Sequence, residues 1–214
     1  MKKGALVEYM SAFEVGVPNV VIFQYNPETL RHVWSQAATA SGQSGSNPLA
    51  VTGEPGETFS FSVSLDVTDQ LADPDLAVRA MAKSFGIHPR LAALEMLLFP
   101  TASGPPLPAS AGESRPTPSA QVPTVLFVWG AARIVPVRVT SLTITEKLYD
   151  EDLNPTHADA QIELRVLTPS ELRSVSGPLG PIASGAYHYT QGLRVAGAVA
   201  NLGDAARAVI GMLP

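Results

Sequence analysis

The chain has no cysteine in 214 residues. That absence excludes a disulfide framework, a thiolate zinc site and a cysteine nucleophile together. Charge is scarce as well: 15% of residues are Asp, Glu, Lys or Arg, against about 25% in ordinary soluble domains. The net charge of −5 argues against general nucleic-acid binding, which draws its affinity from clustered Lys and Arg. Low charge fits a subunit covered by neighbours, and small Ala, Ser and Thr residues supply a neutral surface equally well. No run reaches the ~18 continuous apolar residues of a membrane-spanning helix. Residues 192–214 come nearest, and Arg194, Asn201, Asp204 and Arg207 interrupt them. No export signal is expected, because Glu8 breaks the apolar stretch behind Lys2 and Lys3.

What is present reads mostly as strand. The length suits one domain, or one domain with extensions, and needs no staple to hold a core. Ala5–Met10 and Val20–Tyr25 are short apolar runs, and Asn26-Pro27 punctuates the second. Glu28–Trp34 is read as a third strand. Phe59, Phe61, Val63 and Leu65 alternate with Ser60, Ser62, Ser64 and Asp66, so one face meets a core and the other is polar. Thr124–Trp129 is a solid apolar run. Trp129 is expected in the core beside a tight turn, with ligand stacking as the alternative. Arg133–Thr145 predicts a long or bent strand or two strands, with Pro136 at an edge or bend. Asp150–Pro155 reads as a turn. In 160–167, Ile162, Leu164 and Val166 oppose Gln161, Glu163 and Arg165.

One helical region, 71–99, interrupts the strands. Asp73-Pro74 resembles an N-cap followed by proline at the first helical position. Gly86-Ile87-His88-Pro89 breaks the helix, and Ile87, Leu91, Leu94 and Leu98 form a stripe beyond it. Residues 35–56 and the proline-rich 100–123 read as flexible arms. Residues 173–190 read as a linker. Residues 191–214 read as an Ala-rich helical extension in which Leu193, Ala196, Val199, Leu202, Ala206, Ile210 and Leu213 keep three-to-four spacing.

Motifs for catalysis do not stand out. His32, His88, His157 and His188 are scattered without metal-ligand spacing. There is no nucleophile elbow, phosphate loop or dinucleotide fingerprint. Asp150-Glu151-Asp152-Leu153-Asn154 starts like a calcium loop, but Pro155 and Gln161 occupy the positions that need Gly and Glu. No metal and no cofactor is expected.

Several segments in order resemble the tube-adaptor family of contractile injection systems, which are phage-tail-like particles. They are Ile22-Phe23-Gln24-Tyr25-Asn26-Pro27-Glu28-Thr29-Leu30, Gly56–Phe61 running to Leu65-Asp66, and Gly86–Glu95. Pro123–Gly130 and Leu148–Pro155, with the strand to Leu167, complete the set. The resemblance covers roughly residues 4–172. It implies an α+β, mostly β fold: a tail-tube-like antiparallel β-sandwich or rolled barrel, one flanking helical region and a C-terminal helical extension. It also implies a non-enzymatic ring, typically sixfold, between a trimeric spike hub and the first ring of the inner tube. The implied partners are other copies of the chain, the spike hub, the inner tube protein and baseplate or sheath components. No nucleic acid and no membrane insertion are implied. The location would be the bacterial cytoplasm within an assembled particle, or outside the cell after lysis. Expected interface residues are Asn26 and Pro27 in the first turn, Phe59, Phe61, Val63 and Leu65 on an edge strand, and Asp150, Asp152 and Pro155 in the late loop. Family members often carry a small C-terminal LysM-type module, and the segment after Glu171 does not match one. The alternatives are another ring of the same fold, a peptidoglycan-acting baseplate enzyme and a carbohydrate-binding module.

Overall fold

A computed structural model describes residues 2–9, 18–36, 51, 53–100, 122–175 and 179–212. Most of both expected arms, 37–50 and 101–121, lies outside the described residues. Seven strands form one antiparallel sheet in the order β2-β1-β5-β6-β7-β4-β3. They are β1 Ala5–Tyr9, β2 Pro18–Ile22, β3 Leu30–Ser35, β4 Gly56–Asp66, β5 Val125–Val128, β6 Ile134–Tyr149 and β7 Pro155–Val166. Three helices, α1 Thr68–Leu71, α2 Leu76–Phe85 and α3 His88–Glu95, lie between β4 and β5, while α4 Pro169–Leu172 and α5 Leu179–Met212 follow β7. No helix among the described residues is long and apolar enough to cross a membrane.

The alternating segments form strands because one face is apolar. In β4, Phe59, Phe61, Val63 and Leu65 are buried, and the neighbouring Ala158, Ala160, Ile162 and Leu164 of β7 are buried beside them. The sheet curls strongly. Three strand steps separate β4 from β5, about 14 Å in a flat sheet. Yet the Phe59 and Phe127 ring centroids are 5.4 Å apart, and those of Phe61 and Phe127 are 5.5 Å apart. Phe23, just past β2, meets Phe61 at 5.3 Å. Curling brings β-branched and aromatic side chains from nearly every strand into one core. Trp129 joins that core, stacked 6.0 Å from Phe127.

Several elements differ from expectation. The helical region is three helices, and Asp75, not Asp73, caps α2. The Asp73 carboxylate accepts from the Asp75 N–H (2.9 Å) and holds the Pro74 turn, and Asp75 then accepts from the Ala77 N–H (2.8 Å). Pro136 sits in an interior strand, not at an edge. It lies where the β6–β7 pairing runs out, and its carbonyl still accepts from the Leu167 N–H (2.9 Å). The C-terminal helix begins at Leu179, inside the expected linker. Of the alternatives expected for 133–145, the long single strand holds: β6 has 16 residues, with register shifts at Val139/Ser141 and near Leu148, and it runs on to Tyr149.

Helices close the two ends of the curled sheet. At one end Ile87 donates its N–H to Pro155 O (2.9 Å), and Gly86 takes φ +56° against the same carbonyl. A Cβ at Gly86 would stand 2.3 Å from Pro155 O, so only glycine fits. Gln24, buried beyond β2, ties this end together. Its Oε1 accepts from the Asp66 N–H (2.9 Å) and from Arg90 (2.6 Å), and its Nε2 donates to Asp69 (2.9 Å). At the other end α5 lies across the start of β6, where the Thr190 hydroxyl donates to Ile134 O (2.7 Å) and accepts from Ile134 N–H (3.2 Å).

Candidate assembly interface

The expected interface residues fall into three groups. Asn26 is a structural bridge: its Oδ1 accepts from the Gly4 N–H (2.9 Å) and its Nδ2 donates to Lys2 O (2.9 Å). Both bonds clamp the Asn26-Pro27 turn onto the segment 2–4 that leads into β1. Phe59, Phe61, Val63 and Leu65 belong to the core, and β4 is paired on both sides, with β3 and β7. The expectation that 57–66 is an edge strand is therefore corrected. Alternation reports which face is buried, and it is silent about which strands flank it.

Among the described strands, the edges of the sheet are β2 and β3. On β2 the Phe23 N–H bonds to Gly4 O (2.9 Å). With the β1–β2 register and the alternation of antiparallel ladders, this turns the backbone N–H groups of Val20 and Ile22 away from β1, toward the open edge. The side chains of Val20 and Ile22 are exposed, Ile22 at 61%. On β3, Val33 and Trp34 are exposed. Among the described residues, each edge thus joins ladder groups without a neighbouring strand to exposed apolar side chains, the combination that templates strand addition.

The third group is the β6–β7 turn. Asp150 Oδ1 accepts from the backbone N–H groups of Asp152 (2.9 Å) and Asn154 (2.8 Å), and Oδ2 accepts from Asn154 Nδ2 (3.0 Å). The Asn154 bonds, with smaller help from Asp152 and His88, hold the Asp150 carboxyl below its ordinary value. Asp150 thus builds the turn, Asp152 is exposed on it, and buried Pro155 anchors it to α3. The turn forces Leu153 to φ +64°, with 77% of the residue exposed. A branched apolar residue gains nothing there from the fold itself. Leu148 and Tyr149 are exposed beside it. Exposed Met81 and Phe85 of α2 lie nearby, since Phe85 precedes Gly86, which touches Asn154 and Pro155.

A polar cluster that the sequence did not suggest fastens α5. Glu57 faces inward from β4 and is 3% exposed. His32 Nε2 lies 2.8 Å from its Oε1, and Arg194 Nη2 bonds the same oxygen. The Arg194 guanidinium stands 4.7 Å over the Trp34 ring, and His32 stacks on Phe59 at 4.3 Å. Tyr187 donates to Glu54 across a cavity of about 240 Å³ that Trp34, Glu57, Thr168 and Gln191 also line. A buried carboxylate shared between a guanidinium and an imidazole is held more by geometry than by net Coulomb gain. Glu57 and Arg194 are 137 positions apart, and no local pattern reports such a pair. The packed start of the helix falls in the expected linker 173–190, where Leu179, Ala183, Ala186, Tyr187 and Thr190 are all buried at helical spacing. Among the described residues, no group of three or more His, Asp and Glu could hold a metal ion. Compared with protein-family models and with curated proteins, the chain matches neither.

Proposed function

We propose that this chain is a non-enzymatic ring subunit of a contractile, phage-tail-like particle: the adaptor that joins the trimeric spike hub to the hexameric inner tube and nucleates tube growth. The observation that carries this reading is the pair of open edges, β2 and β3, at opposite ends of one curled sheet, each with exposed apolar side chains. An edge of one copy that meets the other edge of the next makes a heterologous contact, and such contacts close into rings when the rotation allows. The β6–β7 tip and the outer face of α2 then serve contacts to the neighbouring layer. The order of motifs shared with the tube-adaptor family supports the same role.

The test targets the β2 edge. Ile22→Lys adds a charge to an exposed side chain, and Val20→Pro removes an outward N–H without touching the β1 ladder. Both variants are expected to keep the wild-type circular dichroism spectrum and to lose the oligomer in native mass spectrometry. An oligomer that survives both changes would remove β2 from the interface and overturn the edge-pairing ring.

A further inference from the structure

The first four turns of α5 are bolted to the sheet by Tyr187, Tyr189, Thr190 and Arg194. Beyond Arg194 the helix leaves the body: every residue from Val195 to Leu202 is exposed. The exposed stretch is about 12 Å of helix at 1.5 Å per residue, and the helical backbone continues to Met212. Val195, Val199 and Leu202 follow four-then-three spacing, and the sequence carries it on through Ala206 and Val209. This is an a/d heptad seam with Val199 at a and Leu202 at d. The same register puts Arg194 and Asn201 at c, Asp204 at f and Arg207 at b, all away from the seam. The flanking e and g positions near its start are Ala196 and Ala198, so the apolar stripe is wider than the seam of a two-stranded coiled coil.

We infer that the projecting end of α5 associates with the same segment of other copies of this chain, as a parallel bundle of more than two helices. Charge favours a second copy as the occupant. Residues 195–212 hold one Asp and one Arg, so identical helices meet without the repulsion that a net charge of −5 on the whole chain would otherwise impose. Length sets the condition. The segment spans about two and a half heptads, short of the three to four that a free coiled coil sustains. A pair of free chains therefore does not hold, and the copies must first stand side by side. The inference rests on the proposed ring for that step, since α5 is rooted identically on every copy and a ring points all the ends the same way. Once neighbours are fixed, the high local concentration of seams replaces the missing heptads.

The absence of native cysteine makes the test clean. Single substitutions Val199→Cys and Leu202→Cys at the seam, with Gly197→Cys and Asn201→Cys off it, are oxidised in the full-length protein. Cross-linked chains are counted by non-reducing gel, while native mass spectrometry of the reduced protein reports the ring. Seam variants are expected to cross-link at least tenfold more than the off-seam variants. Rings without that preference would overturn the bundle and leave the ring intact. A seam preference without rings would overturn the ring, and with it the condition that neighbours must first be fixed, and leave the seam as a self-association site in its own right. Neither rings nor preference would overturn both.

Discussion

Replacing Leu153 with asparagine separates two demands on the β6–β7 turn. Leu153 holds φ +64° with 77% of its surface in water. The left-handed conformation costs an ordinary L-residue roughly 1–2 kcal/mol, and asparagine much less. Little burial is lost in exchange, because the side chain touches little. Leu153→Asn should therefore stabilise the isolated chain by about 0.5–1 kcal/mol, and raise its melting temperature by about 1–4 °C for a domain of this size. If the leucine is kept for a partner, assembly should weaken in the same variant. Urea unfolding gives the first quantity, and incorporation of the variant into particles gives the second. A fall in stability would mean that Leu153 packs within its own chain. A gain in stability with undiminished incorporation would remove the tip from the interface. Either result refutes the reasoning.

Gly86→Ala should cost about 2–3 kcal/mol. The backbone at φ +56°, ψ −131°, a region that favours glycine, accounts for about 1–2 kcal/mol, and the loss of the Ile87–Pro155 bond for about 1 kcal/mol. The 2.3 Å approach to a backbone oxygen cannot be relieved by a rotamer change. A melting temperature lower by about 5–10 °C checks it. Glu8 is buried in β1, and burial raises its carboxyl above the ordinary value, partly offset by Asn19. A raised carboxylate pKa favours the fold below the unfolded value near 4.5 and withdraws that support as pH rises through the folded value. Glu8→Gln should therefore be the more stable protein at pH 7, with the difference closing below pH ~4.5, read from urea midpoints across pH. Glu171 has the opposite sign. Arg165, and then the capping bonds with Thr168, hold its carboxyl down to about 2. Its contribution is present above 4.5 and lost as pH falls toward 2. The side chain is 39% exposed, so solvent screening limits its worth, and Glu171→Gln should cost about 1 kcal/mol at neutral pH.

The strands of the core were legible because period-two alternation is a local property. Phe59 to Leu65 and Ile162 to Val166 face inward as their pattern requires. Strand order is not local. The alternation of β4 marks its buried face, but only the curl of the sheet and the return of β7 decide that β4 is interior and β3 lies at the edge. The same limit applies to Asn26, whose partners lie 22 and 24 positions earlier. The start of α5 was missed for a chemical reason. Gly180, Pro181, Ser184 and Gly185 lower helix propensity and hide a buried stripe that tertiary packing rewards. Gly180 is needed there, since a Cβ would stand 2.6 Å from Val175 O. The candidate interface was legible only in part. The turn 150–155 was visible as a turn, but the strain at Leu153 follows from the hydrogen bonds of Asp150, which only the folded backbone displays.

The most direct measurement is electron microscopy of particles from hosts with and without this gene, with the protein located in the intact particle. A single ring of this chain between spike and tube, and the loss of spike-capped tubes without it, is the expected result. Normal spike-capped tubes in its absence would contradict the adaptor role.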